Sequence, residues 1–203
     1  KGAMRQLAKL KLNNLYGKFA TSPDSSFKVA YLNEKNALSY RTVNRRDRPV
    51  VYIPIGAAIT SYARQFTITA AQKNYKHFIY ADTDSIHCDI SPDKIKGINI
   101  DDVNFCCWKI ETSWDKGIFV RAKTYIEHIT ETDGEPCDPY YNIKCAGMPE
   151  SSKRIFADGL NSGAYKLTDF KVGLELGGKL LPKQIEGGTV LQDTTFKMLE
   201  KKF

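Results

Sequence analysis

The chain has 203 residues, of which 42% are hydrophobic and 26% are charged, close to the average for a globular domain. This composition excludes a wholly disordered chain, a collagen-like repeat and a bundle of membrane helices. The longest uncharged run, between Arg48 and Arg64, is too short and too interrupted by prolines to span a bilayer, so we expect no membrane partner. Residue 1 is a lysine and no signal peptide follows, so we expect the numbering to begin inside a longer parent protein.

The charge is unevenly distributed along the chain. The net charge is +7, which favours a polyanionic partner such as nucleic acid. Residues 1–18 contain five basic residues and no acid, whereas residues 82–102 contain six aspartates. Such a pair of segments suits a protein that binds phosphates together with cations, but two solvated surfaces of opposite sign explain it equally well.

The cysteine and histidine content predicts a cytoplasmic protein. Five cysteines without a C-x-x-C pair indicate reduced thiols that pack as small hydrophobic groups. His87 follows an acidic segment and is a metal-ligand candidate, although a hydrogen-bonded structural histidine is the more common outcome.

The first half of the chain predicts two helices and two hairpins. Residues 3–18 have apolar side chains at helical spacing, and we expect this helix to end at Gly17 in a left-handed cap. Extended runs at 28–32 and 37–43 predict a protruding hairpin within about 22–54. Helical spacing returns over 59–74, and two apolar runs then flank an acidic turn: 78–81 and 85–88.

The second half predicts mainly strands. An irregular, partly helical stretch contains Trp108 and Trp114, and alternating side chains predict one strand over Arg121–Ile129. A short helical segment begins near Ser151, before glycine-bracketed strands at Lys179–Ile185 and Thr189–Lys197. We therefore predict an α+β fold with an antiparallel sheet backed by helices, divided near residue 150 into modules 1–150 and 151–203.

The acidic turn is the first candidate for chemistry. Tyr80-Ala81-Asp82-Thr83-Asp84-Ser85 places two carboxylates on a tight turn between apolar strands. Mg²⁺ binds one or two protein carboxylates and completes its coordination with water and phosphate oxygens. Two such ions can stabilise an in-line phosphoryl displacement. A solvated surface turn rich in aspartate is the alternative.

The second candidate is the first helix, Lys9-Leu10-Lys11-Leu12-Asn13-Asn14-Leu15-Tyr16-Gly17. At 100° per residue, Arg5, Lys9, Asn13 and Tyr16 lie on one face. The cations suit a triphosphate, and the aromatic ring suits a sugar or base. An amphipathic helix with a solvated basic face is the alternative.

Taken in order, these segments resemble the family B DNA polymerases. Lys9-x-x-x-Asn13-x-x-Tyr16-Gly17 resembles the second polymerase motif, Tyr80–Ser85 resembles the third, and Lys123-Thr124-Tyr125 resembles the Lys-x-Tyr motif. The hairpin between the first two motifs, the Lys144–Met148 segment and the glycine-rich tail are similar to those of protein-primed bacteriophage replicases.

The resemblance implies a role for each matching residue. Asp82 and Asp84 would be the catalytic carboxylates, with Asp84 the more certain ligand of Mg²⁺; the complete enzyme would use two ions, and Mn²⁺ could replace them. On the first helix, Lys9 would neutralise the phosphates of the dNTP, assisted by Arg5 one turn earlier. Asn13 and Tyr16 would pack against the nascent base pair, and Gly17 would let the backbone approach closely. The primer–template DNA would be bound by Lys123, Tyr125 and Lys144. Residues 151–203 would form a small β-rich thumb, and residues 1–150 part of the palm.

Two departures from the family pattern bear on activity. Asn14 stands where the family usually has serine, and no segment resembles the family's first motif, which supplies a further carboxylate. The proofreading carboxylates are absent as well. We therefore predict the C-terminal part of a longer polymerase, located in the cytoplasm of the host, that does not extend a primer alone. A terminal protein is a candidate primer.

Two other functions remain open from the sequence. A non-catalytic palm and thumb module could bind duplex DNA through its phosphates. A D-x-D sugar-nucleotide transferase would explain the acidic turn, but it leaves the Lys9 and Tyr16 face and the Lys123-Thr124-Tyr125 segment without a role.

Overall fold

The computed structural model of the chain describes residues 2–21, 24–45, 52–104 and 106–200. The helices are α1 (Ala3–Phe19), α2 (Ile53–Lys73) and α3 (Glu150–Ser162). The strands are β1 (Ser25–Leu32), β2 (Leu38–Arg45), β3 (Phe78–Asp82), β4 (Ser85–Cys88), β5 (Thr112–Arg121), β6 (Thr124–Thr132), β7 (Glu135–Cys145), β8 (Glu175–Ile185) and β9 (Gly188–Lys197). Short 3₁₀ segments cover Pro92–Lys94 and Leu167–Asp169. The fold therefore mixes helices with small sheets, as the sequence predicts.

Each sheet pairs strands that are neighbours in the chain. The pairs β1–β2 and β3–β4 are antiparallel hairpins, β5–β6–β7 form a three-stranded antiparallel sheet, and β8–β9 form a further two-stranded sheet. The β1–β2 turn is closed by Asn33, whose side-chain oxygen accepts the backbone N–H groups of Lys35 and Ala37 at 3.0 Å each. Short connections of this kind favour antiparallel neighbours. A hairpin is present where one is predicted, and residues 22–23 and 46–51 of the predicted segment lie outside the described residues.

The chain divides into two compact units. One extends to Thr69 and includes Ile185–Gly188, and the other comprises Ala70–Gln184 and the chain from Thr189 onward. The first unit contains α1, the β1–β2 hairpin and most of α2, and the second contains the three-stranded sheet with the β3–β4 hairpin and α3. Within the described ranges, none of the helices has the length and apolar character needed to span a bilayer.

The main apolar core lies in the second unit, on one face of the three-stranded sheet. Ile126 is fully buried and pairs in register with Ile143, so both side chains project from the same face. The buried core residues are Ile126, Ile143, Cys145, Met148, Phe156, Phe170, Leu174, Leu176, Phe196 and Met198. This core takes residues from both sides of position 150, and the division into modules 1–150 and 151–203 stays a prediction.

The structure corrects the predicted end of the first helix. The helix does not stop at Gly17 in a left-handed cap but continues to Phe19, and its cap is Ala20 with a φ of −104°. The Ala20 N–H still donates to the Tyr16 carbonyl, and the Thr21 hydroxyl donates to the Gly17 carbonyl. Because these donors satisfy the last turn, the helix needs no left-handed glycine there.

The structure corrects two further predictions. The predicted irregular stretch contains a short 3₁₀ helix, at Pro92–Lys94, but it does not extend to Trp114, which lies in strand β5. The single strand predicted over Arg121–Ile129 is instead the end of β5, a turn at Ala122 and Lys123, and the start of β6. Lys123 has a φ of +57°, and this left-handed backbone allows the chain to reverse without glycine or proline.

Candidate active site

The predicted acidic turn joins β3 and β4. Asp82 pairs in register with Ser85, so Thr83 and Asp84 form the two-residue loop between the strands. Thr83 has a φ of +51°, which is uncommon for a β-branched residue. Two hydrogen bonds of 3.1 Å hold this conformation: the Thr83 hydroxyl donates to the Asp82 carboxylate, and the Ser85 hydroxyl donates to the Asp82 carbonyl. The turn therefore has a defined geometry rather than that of a loose surface loop.

The two carboxylates of the turn differ in their surroundings. The Asp82 side chain is 29% exposed, whereas Asp84 is exposed and makes no hydrogen bond or ion pair with any other described residue. Hard oxygen donors in this number fit Mg²⁺, which takes one or two carboxylates and otherwise binds water and phosphate. The described ranges hold no group of three or more His, Cys, Asp and Glu side chains arranged to bind a metal. Among the described residues, the turn therefore presents its two carboxylates without a third ligand of this kind grouped with them.

The Lys-x-Tyr segment lies directly beside the acidic turn. The Lys123 backbone N–H donates to the Tyr80 hydroxyl at 2.8 Å, and the Lys123 ammonium lies 3.2 Å from Asp82 Oδ1. An ammonium group already rests against the Asp82 carboxylate, so this position attracts a cation. The Lys123 side chain is 66% exposed, and such an exposed ion pair is worth about 1 kcal/mol or less. Lys123 is therefore held by its backbone more firmly than by its charge.

Tyr125 lies in an aromatic cluster between the turn and the sheet. Its ring stacks on Phe119 with centroids 5.3 Å apart and lies 5.2 Å from the Tyr80 ring. Burial, followed by the negative charge of Glu127, raises the pKa of Tyr125 to about 12. The hydroxyl is therefore protonated at neutral pH and can donate a hydrogen bond. The tyrosine of the Lys-x-Tyr segment thus has a buried ring and a protonated hydroxyl.

The neighbouring strand places Lys144 opposite Tyr125. The two residues pair in register across β6 and β7, so their side chains leave the same face of the sheet. Lys144 is exposed and contributes a cation to that face. The structure therefore brings together Asp82, Lys123, Tyr125 and Lys144 from three separate segments of the second unit.

The predicted nucleotide-binding residues all lie on α1, in the first unit. Arg5, Lys9, Asn13 and Tyr16 are exposed and follow one another at helical spacing along one face. Gly17 lies inside the helix, and a Cβ added there would meet no atom within 4 Å. The face is therefore open along its length.

Sequence reasoning missed a buried polar pair beneath the turn. His87 Nδ1 lies 2.6 Å from Glu127 Oε1, and the Glu127 side chain is only 1% exposed. His87 is therefore the hydrogen-bonded structural histidine of the two alternatives, although its partner is 40 residues away. The one available signal was an acid in the middle of the apolar strand Tyr-Ile-Glu-His-Ile.

The five cysteines are free thiols. Burial raises the pKa of the Cys88 and Cys145 thiols, and Cys145 belongs to the apolar core. Thiols of this kind react slowly because the thiolate is the nucleophile. Cys145 packs as a small hydrophobic group, as predicted, whereas Cys106 is exposed.

Comparisons with known proteins find similar DNA polymerases. Residues 1–99 match the family model for "DNA polymerase type B, organellar and viral". The chain is 42% identical over 207 aligned residues to the DNA polymerase of Bacillus phage phi29 and 38% identical over 199 residues to that of Streptococcus phage Cp-1. These alignments cover 96% and 98% of the chain but only 34% and 32% of the relatives. The chain thus spans about a third of the length of these relatives.

The fold is similar to a solved structure of the same kind. The phi29 DNA polymerase in a ternary complex with primer–template DNA and incoming nucleotides matches with a TM-score of 0.80 and 40% identity. The match covers 98% of the chain and 35% of the polymerase. The fold match therefore includes the β3–β4 hairpin with its two carboxylates and the Lys-x-Tyr segment beside it. The chain belongs to the family B DNA polymerases and corresponds to a segment of the protein-primed bacteriophage type.

Proposed function

We propose that this chain supplies part of the active site of a DNA-directed DNA polymerase, which transfers dNMP to the 3′ end of a primer. The observation that carries the proposal is the position of the Asp82-Thr83-Asp84 turn beside Lys123. The Lys123 ammonium lies 3.2 Å from Asp82, and the Lys123 backbone N–H donates a hydrogen bond to the Tyr80 hydroxyl. Three motif segments that are distant in the sequence follow one another in the order expected for the family B DNA polymerases that they resemble.

Asp82 and Asp84 are the proposed metal ligands, and Mg²⁺ is the proposed ion, with Mn²⁺ as a substitute. Asp82 and Asp84 would hold these ions in the complete enzyme, where the ions would supply neutralisation of the charge on the transferred phosphoryl group. The chain's own part is to hold the two carboxylates on a fixed turn. Asp84 is exposed and without a partner among the described residues, so it is free to bind an ion without first losing a hydrogen bond.

The incoming dNTP is the proposed ligand of α1. Lys9 and Arg5 lie one turn apart and present two exposed cations to the triphosphate. Asn13 and Tyr16 lie further along the same face, where they would contact the nascent base pair, and Gly17 leaves the backbone accessible. Asn14 in place of the family's serine is expected to have a modest effect.

Primer–template DNA is the proposed partner of Lys123, Tyr125 and Lys144. The two lysines are exposed cations, and the protonated Tyr125 hydroxyl is a donor for a phosphate or sugar oxygen. Residues 151–203 are proposed to act as the thumb on the product duplex, with residues 1–150 as part of the palm. We further propose a terminal protein as a primer partner and the host cytoplasm as the location.

The complete reaction is proposed to need a carboxylate that this chain lacks. No segment resembles the family's first acidic motif, and the described ranges supply two carboxylates at the turn. The isolated chain is therefore expected not to extend a primer in Mg²⁺, whereas a polymerase that contains this segment together with the first motif does extend it. Robust incorporation of dNMP by the isolated chain would contradict this account.

The test compares Asp84→Asn with Asp102→Asn. Asp102 is an exposed acid of the same acidic segment, so its substitution removes the same charge away from the turn. In the complete polymerase, Asp84→Asn is expected to slow primer extension at least about a hundredfold, because metal stabilisation of the transition state is worth several kcal/mol. Asp102→Asn is expected to keep the wild-type rate.

The same pair of variants tests the non-catalytic alternative, in which the segment only holds DNA. In that case Asp84→Asn leaves Mn²⁺ binding by this chain unchanged and leaves its DNA affinity equal or slightly higher. If the turn is a metal site, Asp84→Asn instead lowers Mn²⁺ affinity. Both functions predict DNA binding that weakens with salt, because each neutralised phosphate releases counterions, so salt dependence alone does not separate them.

A further inference from the structure

The buried carboxylate of Glu127 is the most unusual polar group in the second unit. Its side chain is 1% exposed and lies in β6 between the fully buried Ile126 and Ile129. A carboxylate in such surroundings is costly unless its oxygens are hydrogen-bonded. Both oxygens of Glu127 have a partner: His87 Nδ1 lies 2.6 Å from Oε1, and the Asn142 amide donates to Oε2 at 3.1 Å. Glu127, His87 and Asn142 therefore form a hydrogen-bond network that satisfies the buried carboxylate.

The network connects the hairpin of the acidic turn to the three-stranded sheet. Asn142 lies on β7 opposite Glu127, whereas His87 lies on β4, three residues after Asp84. His87 also pairs in register with Tyr80, the residue whose hydroxyl receives the Lys123 N–H. Glu127 thus contacts strand β4 of the hairpin, whereas Lys123 contacts strand β3.

The hairpin depends on such side-chain contacts for its orientation. Among the described residues, β3 and β4 pair only with each other and add no strand to the neighbouring sheet. A two-stranded hairpin is only marginally stable without packing. Its exposed link, Lys123 to Asp82, is weak, whereas the His87 to Glu127 contact is buried and backed by aromatic rings. The rings of Phe119 and Tyr125 lie 5.4 and 5.1 Å from the His87 ring.

We propose that Glu127 is a positioning residue, which holds His87 and thereby fixes the Asp82-Thr83-Asp84 turn against the β5–β6–β7 sheet. The proposal rests on the proposed function of the turn as a metal site. Glu127 itself contacts neither substrate nor metal. It acts through the hairpin, whose two carboxylates must keep a fixed place beside Lys123 and Tyr125.

The test uses three variants of this chain and two measurements. Glu127→Gln keeps an oxygen acceptor for His87, Glu127→Leu removes it, and His128→Gln alters the other histidine–carboxylate pair of β6, in which His128 Nδ1 lies 2.6 Å from Asp115. Mn²⁺ binding is followed by electron paramagnetic resonance, and amide hydrogen exchange is followed across residues 78–88. The exchange measurement reports the hairpin with no metal present.

We expect Glu127→Leu to weaken Mn²⁺ binding at least tenfold and to speed amide exchange in β3 and β4 by a similar factor, while the amides of β7 stay protected. Glu127→Gln is expected to restore both quantities to within about threefold of the wild type, and His128→Gln to leave both unchanged. A merely structural role predicts equal acceleration throughout the second unit and no selective rescue by glutamine.

Should Glu127→Leu fail to fold, the double variant His87→Phe with Glu127→Leu replaces both partners by apolar groups, which leaves no unpaired carboxylate or imidazole. The proposal is overturned if the Leu variant or the folded double variant keeps wild-type exchange in β3 and β4. The two proposals fail differently. Wild-type Mn²⁺ binding that Asp84→Asn leaves intact refutes the metal site, whereas unchanged hairpin exchange refutes the role of Glu127.

Discussion

The two faces of the three-stranded sheet differ in the side chains that they carry. One face carries Ile126, Ile143 and Cys145 and closes on the apolar core with α3. The other carries Tyr125, Glu127 and Lys144, with an aromatic cluster and a buried carboxylate beneath the acidic turn. Because side chains alternate along a strand, neighbouring residues of β6 belong to opposite faces. A step of one residue along β6 therefore moves a side chain from the apolar core to the face beside the acidic turn.

The comparison shows why burial alone does not identify the core. Tyr125 and Glu127 are as buried as many core residues, at 8% and 1% exposure. Yet their partners are polar atoms and aromatic rings rather than aliphatic side chains. Substitutions on the apolar face should therefore lower the free energy of unfolding, whereas those on the polar face should change the geometry of the turn.

The largest expected effect on stability is that of Phe156→Ala on the apolar face. Phe156 is fully buried, and its ring lies 5.1 Å from Tyr165 and 5.8 Å from Phe170. Removing the ring leaves a cavity, so the free energy of unfolding in urea should fall by about 3–5 kcal/mol. Tyr125→Phe on the polar face loses only a hydroxyl and should cost less than about 1.5 kcal/mol. Equal losses for the two variants would remove the distinction between the faces.

Gly159→Ala should have the next largest effect. Alanine normally stabilises a helix over glycine by about 1 kcal/mol, but a Cβ at Gly159 would lie 2.2 Å from Cδ2 of the Tyr165 ring. Overpacking against that ring should outweigh the helix gain and lower stability by about 1–3 kcal/mol. Gly17→Ala in α1 is the matched control, because an added Cβ there meets nothing within 4 Å. In urea unfolding the two alanines should act in opposite directions, and a stabilising Gly159→Ala would show that the Tyr165 contact is not tight.

Much of this arrangement could be predicted from the sequence. The β4 hairpin strand Ser85–Cys88 matches its predicted bounds, and β3 extends the predicted 78–81 by one residue. Local signals suffice there because apolar runs flank a short polar turn. The helix predicted over 59–74 begins six residues earlier, at Ile53, since Pro54 is tolerated in a first turn.

The errors and omissions arise where the signal is not local. The turn at Ala122 and Lys123 contains no Gly, Pro, Asn or Asp, and the alternation on either side of it hides the break. The Glu127 to His87 contact joins residues 40 positions apart, and no periodicity connects them. The three residues of the Lys-x-Tyr segment could be named from their resemblance, but their contact with Tyr80 and Asp82 needed the fold.

The smallest expected effect concerns the second histidine–carboxylate pair, which sharpens the contrast between the faces. Asp115 lies 2.6 Å from His128 and is 44% exposed, whereas Glu127 is buried. The hydrogen bond from His128 holds the pKa of the Asp115 carboxyl below its usual value. Because the folded pKa is the lower one, the stabilisation is complete above the unfolded pKa of about 3.9 and is lost as the pH falls through the folded value.

Asp115→Asn should therefore cost less than about 1 kcal/mol at pH 7, as expected for an exposed pair, and the difference from the wild type should shrink towards pH 3. Urea unfolding of both proteins at the two pH values measures this change, and a carboxyl NMR titration locates the pKa of Asp115. His128→Leu should raise that pKa towards its ordinary value. A carboxyl that already titrates at its ordinary value in the wild type would mean that His128 does not donate to it.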